Sequence, residues 1–340
     1  MTNPSILFTA PGVVELCECE IPALRAGEVL IRAERTAISA GTERANLLGD
    51  PNVSIAAKGE VKFPRRSGYS ASGVVVAVGE GVSSLHVGDR VACSESCHAR
   101  YFRLKEKYVY PLDDTVGFDT GALVRIATFP LAAIRKCHLE IGESAVVMGL
   151  GVLGLIGVSL LRAAGAVPII AVDPVPEKRA RALEMGADYA LDPFAPDFVS
   201  EVKRLTGGGA KVALEITGKG QGLDMVLDVM ARLGRVALLG CTRDADFSID
   251  YYRKVHGPGI TLVGAHTAAR PREESSAGLW TERDDALAVL SLVEHGRLDL
   301  ARLIEEVHAP TEAPAVYGRL ATERAFPVVQ FDWSGMGDGS

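Results

Sequence analysis

Three glycines have the types and spacing of a turn that binds phosphate. The stretch GLGVLG holds Gly149, Gly151 and Gly154, after the apolar run SAVVMG and before a longer apolar run. The first glycine permits a tight turn, the second lets the backbone approach a pyrophosphate, and the third lets a helix pack closely on a strand. We expect the N–H groups at the helix start, with Val152 and Leu153, to face the phosphates of a dinucleotide.

An aspartate follows at the distance expected for a ribose ligand. Asp173 ends the next apolar run, about 20 residues after Gly154. Its carboxylate can accept hydrogen bonds from both ribose hydroxyls and would repel a 2′-phosphate, which favours NAD over NADP. Lys178 could cover the same ribose or the adenine. The alternative is that the glycines only form a tight turn and that Asp173 only caps a helix.

A second polar group lies in AISAGTERANL, residues 37–47. The segment follows a strand-like run and carries Thr42 and Glu43 just after a glycine. We expect a small, sharply turned segment that presents side chains to a substrate. At position 40, however, stands an alanine, which carries no reactive group.

Cys93, Cys97 and His98 raise the possibility of a metal site. A closed zinc site needs four ligands, and no second cysteine pair lies nearby in the sequence. We therefore interpret the six cysteines as reduced thiols of a cytoplasmic protein and expect no metal.

The elements that position these residues differ between the two parts of the chain. The first third contains β-branched runs separated by glycine and proline, such as VLIRAERTAI and SASGVVVAVG. From about residue 120, strand-like and helix-like runs alternate, which predicts right-handed βαβ units and a parallel sheet covered on both faces.

Composition narrows the classes of partner. The 340-residue chain has a formal net charge of -7 and no basic tract, which argues against nucleic acid as a partner. No run of eighteen apolar residues is present, so we expect no membrane partner. The N-terminus lacks the pattern of a signal peptide, and we expect a cytoplasmic location.

The chain resembles the medium-chain dehydrogenases/reductases, the family of alcohol and polyol dehydrogenases and quinone reductases. The resemblance rests on GTE, GYSASGVVVAVGEGV, VGDRVA, ESAVVMGLGVLG, EMGAD, LEITG and ALLGCT, in the family's order. It implies an α/β fold: a Rossmann doubly wound parallel sheet inserted in a GroES-like β-barrel catalytic domain. The implied bounds are 1–122 and 267–335 for the catalytic domain and 123–266 for the NAD-binding domain, followed by a flexible tail, 336–340. It also adds Thr217, Gly240 and His266 to the cofactor-binding residues.

This sequence departs from the zinc enzymes of the family at each catalytic metal position. Those enzymes place a cysteine before the GT(D/E) turn, a His-Glu pair in the GHE motif, and a further ligand near the start of the linking helix. Here these positions hold Ala40, Tyr69, Ser70 and, by approximate alignment, Arg125. Since a catalytic zinc needs about three protein ligands, the resemblance implies a site that has lost its metal.

Five side chains are then candidates for catalysis, each with a structural alternative. Thr42 matches the family's hydroxyl relay residue. Tyr69 could donate to a carbonyl or, with a lowered pKa, accept a proton, or simply pack in the core. Arg125 could lower that pKa or bind an anionic substrate. Glu43 could act as a base, orient a neighbour or pair with Arg125, and His98 could line the cleft or be solvated.

Three functions fit these residues. The leading one is a zinc-independent, NAD-dependent dehydrogenase acting on a secondary alcohol or ketone, such as a sugar, a cyclitol or another hydroxylated metabolite. The sequence is similar to the bacteriochlorophyllide hydroxyethyl dehydrogenase branch, although Ser70 departs from the expected glutamate. The alternatives are a zinc-free enone or quinone reductase, and a dinucleotide-binding protein without catalysis.

Two further expectations concern the substrate and the assembly. Loop 48–67 and the segment 268–282 are predicted to line the pocket of a small-molecule substrate. The apolar strand near 260–266 is predicted to lie at the sheet edge and to pair with a second copy of the chain, giving a homodimer.

Overall fold

A computed structural model describes residues 2–52, 61–242, 246–323 and 325–337. The chain divides into two compact units, the first formed by Met1–Ile126 with Ala286–Ser340 and the second by Ala127–Asp285. Residues 53–60 of the predicted substrate loop and 338–340 of the predicted tail lie outside the described residues.

The elements follow one another in three groups. The first group is β1 (Thr2–Ala10), β2 (Val13–Glu20), β3 (Glu28–Ala37), α1 (Ala40–Leu48), β4 (Arg65–Arg66), β5 (Ser70–Val78), β6 (Arg90–Ser94), β7 (Tyr101–Lys105), β8 (Val109–Pro111), α2 (Phe118–Gly121) and α3 (Val124–Lys136). The second is β9 (Ala145–Met148), α4 (Val152–Ala163), β10 (Ile169–Val172), α5 (Pro176–Glu184), β11 (Tyr189–Leu191), α6 (Phe198–Thr206), β12 (Ala210–Glu215), α7 (Gly220–Asp228), β13 (Met230–Leu238) and β14 (Thr261–Gly264). The third is α8 (Glu282–Glu294), β15 (Glu306–His308), α9 (Ala313–Thr322) and β16 (Val329–Asp332).

The first unit is built on antiparallel sheets. One sheet has the order β15-β16-β3-β5-β6-β8, with β7 also paired to β3, and the other has the order β2-β1-β4. In β3, Val29, Ile31 and Ala33 are fully buried while the residues between them are only partly buried, as the two-residue period of a strand requires. Full burial of a side chain such as Ile31 contributes about 1.5–3 kcal/mol to folding.

The second unit is built on a parallel sheet of the order β11-β10-β9-β12-β13-β14. Every residue of β9 and β10 is buried, because helices cover both faces of such a sheet. The predicted α/β class, with a GroES-like domain and a Rossmann-like parallel sheet, is confirmed. The strand β14 ends the sheet, and it exposes Thr261, Leu262 and Gly264.

The later unit boundary differs from the one that the sequence suggested. The second unit extends to Asp285 rather than to 266. Arg135 of α3 donates to Asp285 at 3.0 Å, and Arg270 donates to the Thr128 hydroxyl at 3.1 Å. These bonds hold the segment after β14 on α3. Among the described helices, none has the length and apolar character needed to cross a bilayer.

Candidate active site

The glycine turn between β9 and α4 has the backbone geometry of a phosphate site. Gly149 has φ +101°, which favours glycine, and a Cβ on Gly154 would lie 2.0 Å from the Gly149 carbonyl oxygen. A Cβ on Gly151, by contrast, would meet nothing within 4 Å. The turn is therefore closed toward the sheet and open at Gly151, where a pyrophosphate would need space.

The first turn of α4 completes this site. Gly151 is the N-cap and has no side chain to cap the helix, and Val152 and Leu153 follow half-buried. The N–H groups at the start of a twelve-residue helix carry partial positive charge and bind anions. These residues fit the phosphates of a dinucleotide cofactor.

Asp173 is held at the end of β10 by backbone donors. Its Oδ2 accepts from the Leu150 N–H at 2.9 Å and its Oδ1 from the Val175 N–H at 2.9 Å. The side chain is almost completely buried. Each carboxylate oxygen retains capacity for another donor, such as a ribose hydroxyl. Sequence reasoning missed Arg179, which donates to the Asp173 carbonyl at 2.8 Å and fixes the same turn; a basic residue one position after Lys178 was the available signal.

Thr217 and Gly240 lie in the two turns that follow β12 and β13. The Thr217 N–H donates to Glu215 Oε1 at 2.8 Å, and its hydroxyl donates to the same oxygen. Burial raises the pKa of Glu215, and these bonds offset part of that shift. A Cβ on Gly240 would lie 2.3 Å from the Gly218 nitrogen, so the two turns pack backbone to backbone. Glycine is therefore required at position 240 for packing.

Lys178 and His266 are the remaining predicted cofactor residues. Lys178 lies half-buried on α5. His266 follows β14, and its Nδ1 accepts from the Ala268 N–H at 3.1 Å. The Lys136 ammonium donates to the carbonyls of Gly264 and Ala269 at 2.5 and 2.9 Å, which fixes the backbone on both sides of His266.

Most of the segment 37–47 in the first unit is helical, and the prediction of a small turn is wrong. β3 ends at Ala37, Ser39 is the N-cap, and α1 begins at Ala40. The Ser39 N–H donates to Glu43 Oε1 at 2.8 Å, and the Glu43 N–H donates to the Ser39 carbonyl at 2.9 Å. A glutamate in the first turn thus satisfies the N-cap, in a variant of the capping box.

Tyr69 lies beside this helix start. Its phenol donates to the Ser39 hydroxyl at 2.5 Å, and the Thr42 side chain acts to lower the pKa of the phenol. Burial raises the pKa of Tyr69 to about 12, although both hydroxyls and the charge of Arg125 act in the opposite direction. Desolvation is the largest cause, so the net pKa of Tyr69 is raised and not lowered, although Arg125 does act to lower it as suggested.

Arg125 pairs with a residue that sequence reasoning missed. It is buried at the start of α3, and its Nη2 donates to Glu95 Oε1 at 3.1 Å. The Glu95 side chain is 52% exposed and its φ is +57°, which is uncommon for a residue with a side chain. No local sequence signal indicates this pair, because its members lie in separate elements.

Glu43 does not show the suggested pairing with Arg125 but lies in a buried cluster. Its Oε2 accepts from His98 Nε2 at 3.0 Å and from the Tyr317 hydroxyl. His98 was expected either to line a cleft or to be solvated, and both expectations are wrong because its ring is fully buried. Its Nδ1 lies 2.7 Å from the Thr36 hydroxyl. Sequence reasoning also missed Tyr317, which lies far along the chain on α9.

The donor set offers poor chemistry for a catalytic zinc. Ala40 has no ligand atom, Ser70 donates to the Ala122 carbonyl at 2.6 Å, and Arg125 is a cation. Within the described ranges, no three His, Cys, Asp or Glu side chains are grouped to hold a metal ion. Burial raises the pKa of the Cys93 thiol well above its ordinary value. A buried thiol that resists ionisation is a poor metal ligand.

Two family models and several named relatives match the chain. Residues 25–138 match the alcohol dehydrogenase GroES-like domain, and residues 152–280 match the zinc-binding dehydrogenase family. The L-threonine 3-dehydrogenase of Pyrococcus horikoshii is 30% identical, over 88% of this chain and 90% of that protein. The (R,R)-butanediol dehydrogenase of Bacillus subtilis is 29% identical, over 71% and 72% of the two chains.

Solved structures share the fold. An alcohol dehydrogenase from Escherichia coli CFT073 in complex with NADH has a TM-score of 0.83 at 18% identity, over 98% of this chain and 99% of that one. A zinc-binding dehydrogenase from Sinorhizobium meliloti 1021 bound to NADP has a TM-score of 0.82 at 20% identity, with the same coverage. These likenesses show the fold, and the dehydrogenase relatives confirm the prediction of an oxidoreductase. The chain belongs to the medium-chain dehydrogenase/reductase superfamily.

Proposed function

We propose that the protein is a zinc-independent, NAD-dependent dehydrogenase that interconverts a secondary alcohol and its ketone. The supporting observation is the group formed by Tyr69, Ser39, Thr42 and Arg125. It places a phenol, two hydroxyls and a guanidinium in the unit where the zinc enzymes of the superfamily hold their metal. The bound cofactor supplies or accepts the hydride, and this group acts on the substrate oxygen.

The residues at the glycine turn support NAD as the cofactor. Asp173 is fixed with both carboxylate oxygens bound to backbone N–H groups. A carboxylate held in this way would accept from the hydroxyls of the adenosine ribose and would repel a 2′-phosphate. The pyrophosphate would be held by Gly149, Gly151 and Gly154 with Val152 and Leu153. The rest of the cofactor would be held by Lys178, Thr217, Gly240 and His266.

Tyr69 acts as a proton donor in ketone reduction. With a pKa of about 12 the phenol is neutral at ordinary pH. It donates a hydrogen bond to the carbonyl oxygen, and the proton passes to that oxygen as the carbon receives the hydride. The phenolate that remains is stabilised by Ser39, Thr42 and Arg125 until water returns a proton. Alcohol oxidation is the reverse sequence.

Arg125 and Thr42 support this step by charge and hydrogen bonding. Arg125 is buried, so its charge acts on Tyr69 with little screening. The Thr42 hydroxyl acts to lower the pKa of the phenol and can contact the substrate oxygen. Glu43 and His98, which are buried and paired with each other, are assigned a positioning role rather than contact with substrate.

An enone reductase is the second candidate, favoured by the same neutral phenol. Reduction of a conjugated C=C bond forms an enolate, which a protonated tyrosine can stabilise and protonate without a metal. Asp173 argues against the NADPH that zinc-free enone reductases of this superfamily usually use. Oxidation of alcohols with NAD favours the first function, whereas reduction of conjugated ketones at C=C favours the second.

The test of the proposed function is a screen of hydroxylated metabolites with NAD and NADP, read at the nicotinamide absorbance. Secondary alcohols among sugars, cyclitols and other polyols are expected to reduce NAD. Absence of alcohol oxidation across the screen, with reduction of enones instead, would exclude the first function. Binding of neither cofactor would exclude both.

We also propose a homodimer that forms through β14. This edge strand carries exposed backbone groups and Leu262, which is 37% exposed. An apolar strand edge favours pairing with a second chain. Light scattering is expected to give twice the chain mass, and a monomer at micromolar concentration would contradict the proposal.

A further inference from the structure

Ser39 lies between the phenol that acts on the substrate and a buried carboxylate. Its hydroxyl accepts from Tyr69 at 2.5 Å, and its N–H donates to Glu43 at 2.8 Å. A serine at an N-cap ordinarily caps its own helix. Within the described residues, the Ser39 hydroxyl makes no such bond to α1. The hydroxyl is thereby left for Tyr69.

Glu43 is fixed by donors from three directions. They are the Ser39 N–H, His98 Nε2 and the Tyr317 hydroxyl. Glu43 is 1% exposed, and a buried carboxylate is tolerated only when its oxygens accept hydrogen bonds. Burial and this carboxylate raise the pKa of Tyr317, so its hydroxyl stays protonated and remains a donor.

His98 links this cluster to the strand from which Ser39 emerges. Trp333 Nε1 donates to the Thr36 hydroxyl at 2.9 Å, and that hydroxyl lies 2.7 Å from His98 Nδ1. Since the indole can only donate, the hydroxyl is free to donate to Nδ1, which leaves the proton on Nε2 facing Glu43. The backbone at Thr36 and at Ser39 is thus tied to one buried network.

The residue before Tyr69 is fitted to the same network. Gly68 has φ +83°, and a Cβ there would lie 2.6 Å from His98 Cδ2. The chain that carries Tyr69 therefore packs directly on the imidazole. Both ends of the Tyr69–Ser39 hydrogen bond are positioned by the cluster around Glu43.

We propose that Ser39 is a positioning residue for Tyr69, and that Glu43, His98 and Tyr317 form a buried lock that fixes Ser39. This inference rests on the proposed function, in which Tyr69 gives its proton to the substrate oxygen. A hydroxyl suits the position because it both accepts and donates. It accepts from the phenol in the free protein. It turns to donate to the phenol oxygen when the phenol donates to the substrate, and it continues to donate to the phenolate after proton transfer. The charged groups that act on the phenol are Arg125 of α3 and Glu43 of α1.

The first experiment compares Ser39→Ala with Ser39→Thr in steady-state kinetics on the full chain. Ser39→Ala is expected to lower kcat about 10- to 100-fold, the worth of one hydrogen bond to a charged group, with the KM for cofactor unchanged. Ser39→Thr keeps a hydroxyl and is expected to recover most of the activity. Ser72→Ala is the matched control, since the buried Ser72 hydroxyl donates instead to the Phe118 carbonyl at 2.5 Å.

The second experiment tests the lock with Tyr317→Phe, which removes one donor to Glu43 and keeps the ring. We expect a smaller loss of kcat than for Ser39→Ala, and no further loss when both changes are combined, because Tyr317 acts through Ser39. Tyr110→Phe is the control, as Tyr110 is fully buried and its hydroxyl lies 3.0 Å from Ser94.

Several outcomes would overturn the inference while leaving the proposed function intact. One is a large loss of kcat in Tyr69→Phe with no loss in Ser39→Ala. Others are equal losses of kcat in Ser39→Ala and Ser39→Thr, or a loss in Ser72→Ala equal to that in Ser39→Ala. The last is additive losses of kcat when Ser39→Ala and Tyr317→Phe are combined. No loss in Tyr69→Phe would instead reject the proposed role of Tyr69. Circular dichroism separates a failure to fold from each of these results.

Discussion

Arg125 at the start of α3 donates to the carboxylate of Glu95, at 3.1 Å, across two separate elements of the first unit. The arginine is 5% exposed while the Glu95 side chain is 52% exposed, so the guanidinium is the buried member of the pair. A permanent positive charge therefore lies in the unit that carries the catalytic candidates. It can supply part of the charge stabilisation that a metal gives to a reacting oxygen.

Replacement of Arg125 should slow the chemical step. In Arg125→Met the phenolate of Tyr69 loses its stabilising charge. We expect kcat to fall about 10- to 100-fold, which is the usual effect of removing one electrostatic partner of a reacting group. Arg125→Lys should retain part of the activity because the charge remains. Glu95 is half exposed and can be solvated in the variant, so folding should persist. Unchanged kcat in Arg125→Met would remove the charge from the mechanism.

Tyr69→Phe should abolish proton donation while it preserves packing. The expected fall in kcat is the general acid–base factor, about 10²–10⁴-fold. Tyr110→Phe, which removes another buried hydroxyl, serves as the control and should leave turnover unchanged. Stopped-flow measurement of nicotinamide absorbance distinguishes a slow hydride step from slow product release. Equal turnover of Tyr69→Phe and the native enzyme would show that another group supplies the proton.

The charge of Asp173 should exclude NADPH. We expect the native enzyme to bind NADH at least about tenfold more tightly than NADPH in fluorescence titrations, because the carboxylate repels the 2′-phosphate. Asp173→Asn should reduce the ratio of the affinity for NADH to the affinity for NADPH. Asp192→Asn is the matched control, since Asp192 follows β11 and its carboxylate lies 3.6 Å from Arg179. Tighter binding of NADPH by the native enzyme would overturn the assignment of NAD.

Asp285 should make stability depend on pH in an unusual direction. Burial raises its pKa to about 6, although Arg270 and Arg135 offset part of the shift. The folded state therefore binds this proton more tightly than the unfolded state, whose pKa is about 3.9. The associated stabilisation, about 2–3 kcal/mol, is complete below about pH 4 and is lost as pH rises through 6.

Urea unfolding of the native enzyme and Asp285→Asn measures this effect. The free energy of unfolding of the native enzyme, relative to the variant, should fall between about pH 4 and pH 7. Asp284→Asn is the control, and the pH dependence of its stability difference should have the opposite sign. The reason is that the hydroxyls of Ser275 and Thr281 lower the pKa of Asp284. A constant difference between the native enzyme and Asp285→Asn across this range would contradict the account.

Local pattern was sufficient to predict the parallel sheet and the glycine turn. The strands β9 and β10 are continuous apolar runs because both faces are buried, and the spacing of Gly149, Gly151 and Gly154 reflects contacts made within one turn. In these elements the residues that determine the local structure lie within a few positions of one another in the sequence.

The features that the sequence did not predict depend on contacts between distant residues. Glu43 and Tyr317 are separated by 274 positions, and His98 and Thr36 by 62. A histidine in a loop gives no local sign that a strand hydroxyl and a helix carboxylate will enclose it. The sequence did not predict helix α1 because its apolar residues show only a weak helical period. The residue that satisfies the N-cap N–H is Glu43, which lies within the helix and not before it.

Metal content measured together with activity tests the central claim most directly. The purified enzyme is analysed for zinc by mass spectrometry, and its turnover of an active alcohol is measured before and after chelation. The account predicts no stoichiometric zinc and full activity after chelation, because Tyr69 and Arg125 act on the substrate oxygen. One zinc ion per chain, with activity lost on its removal and restored on its return, would contradict it.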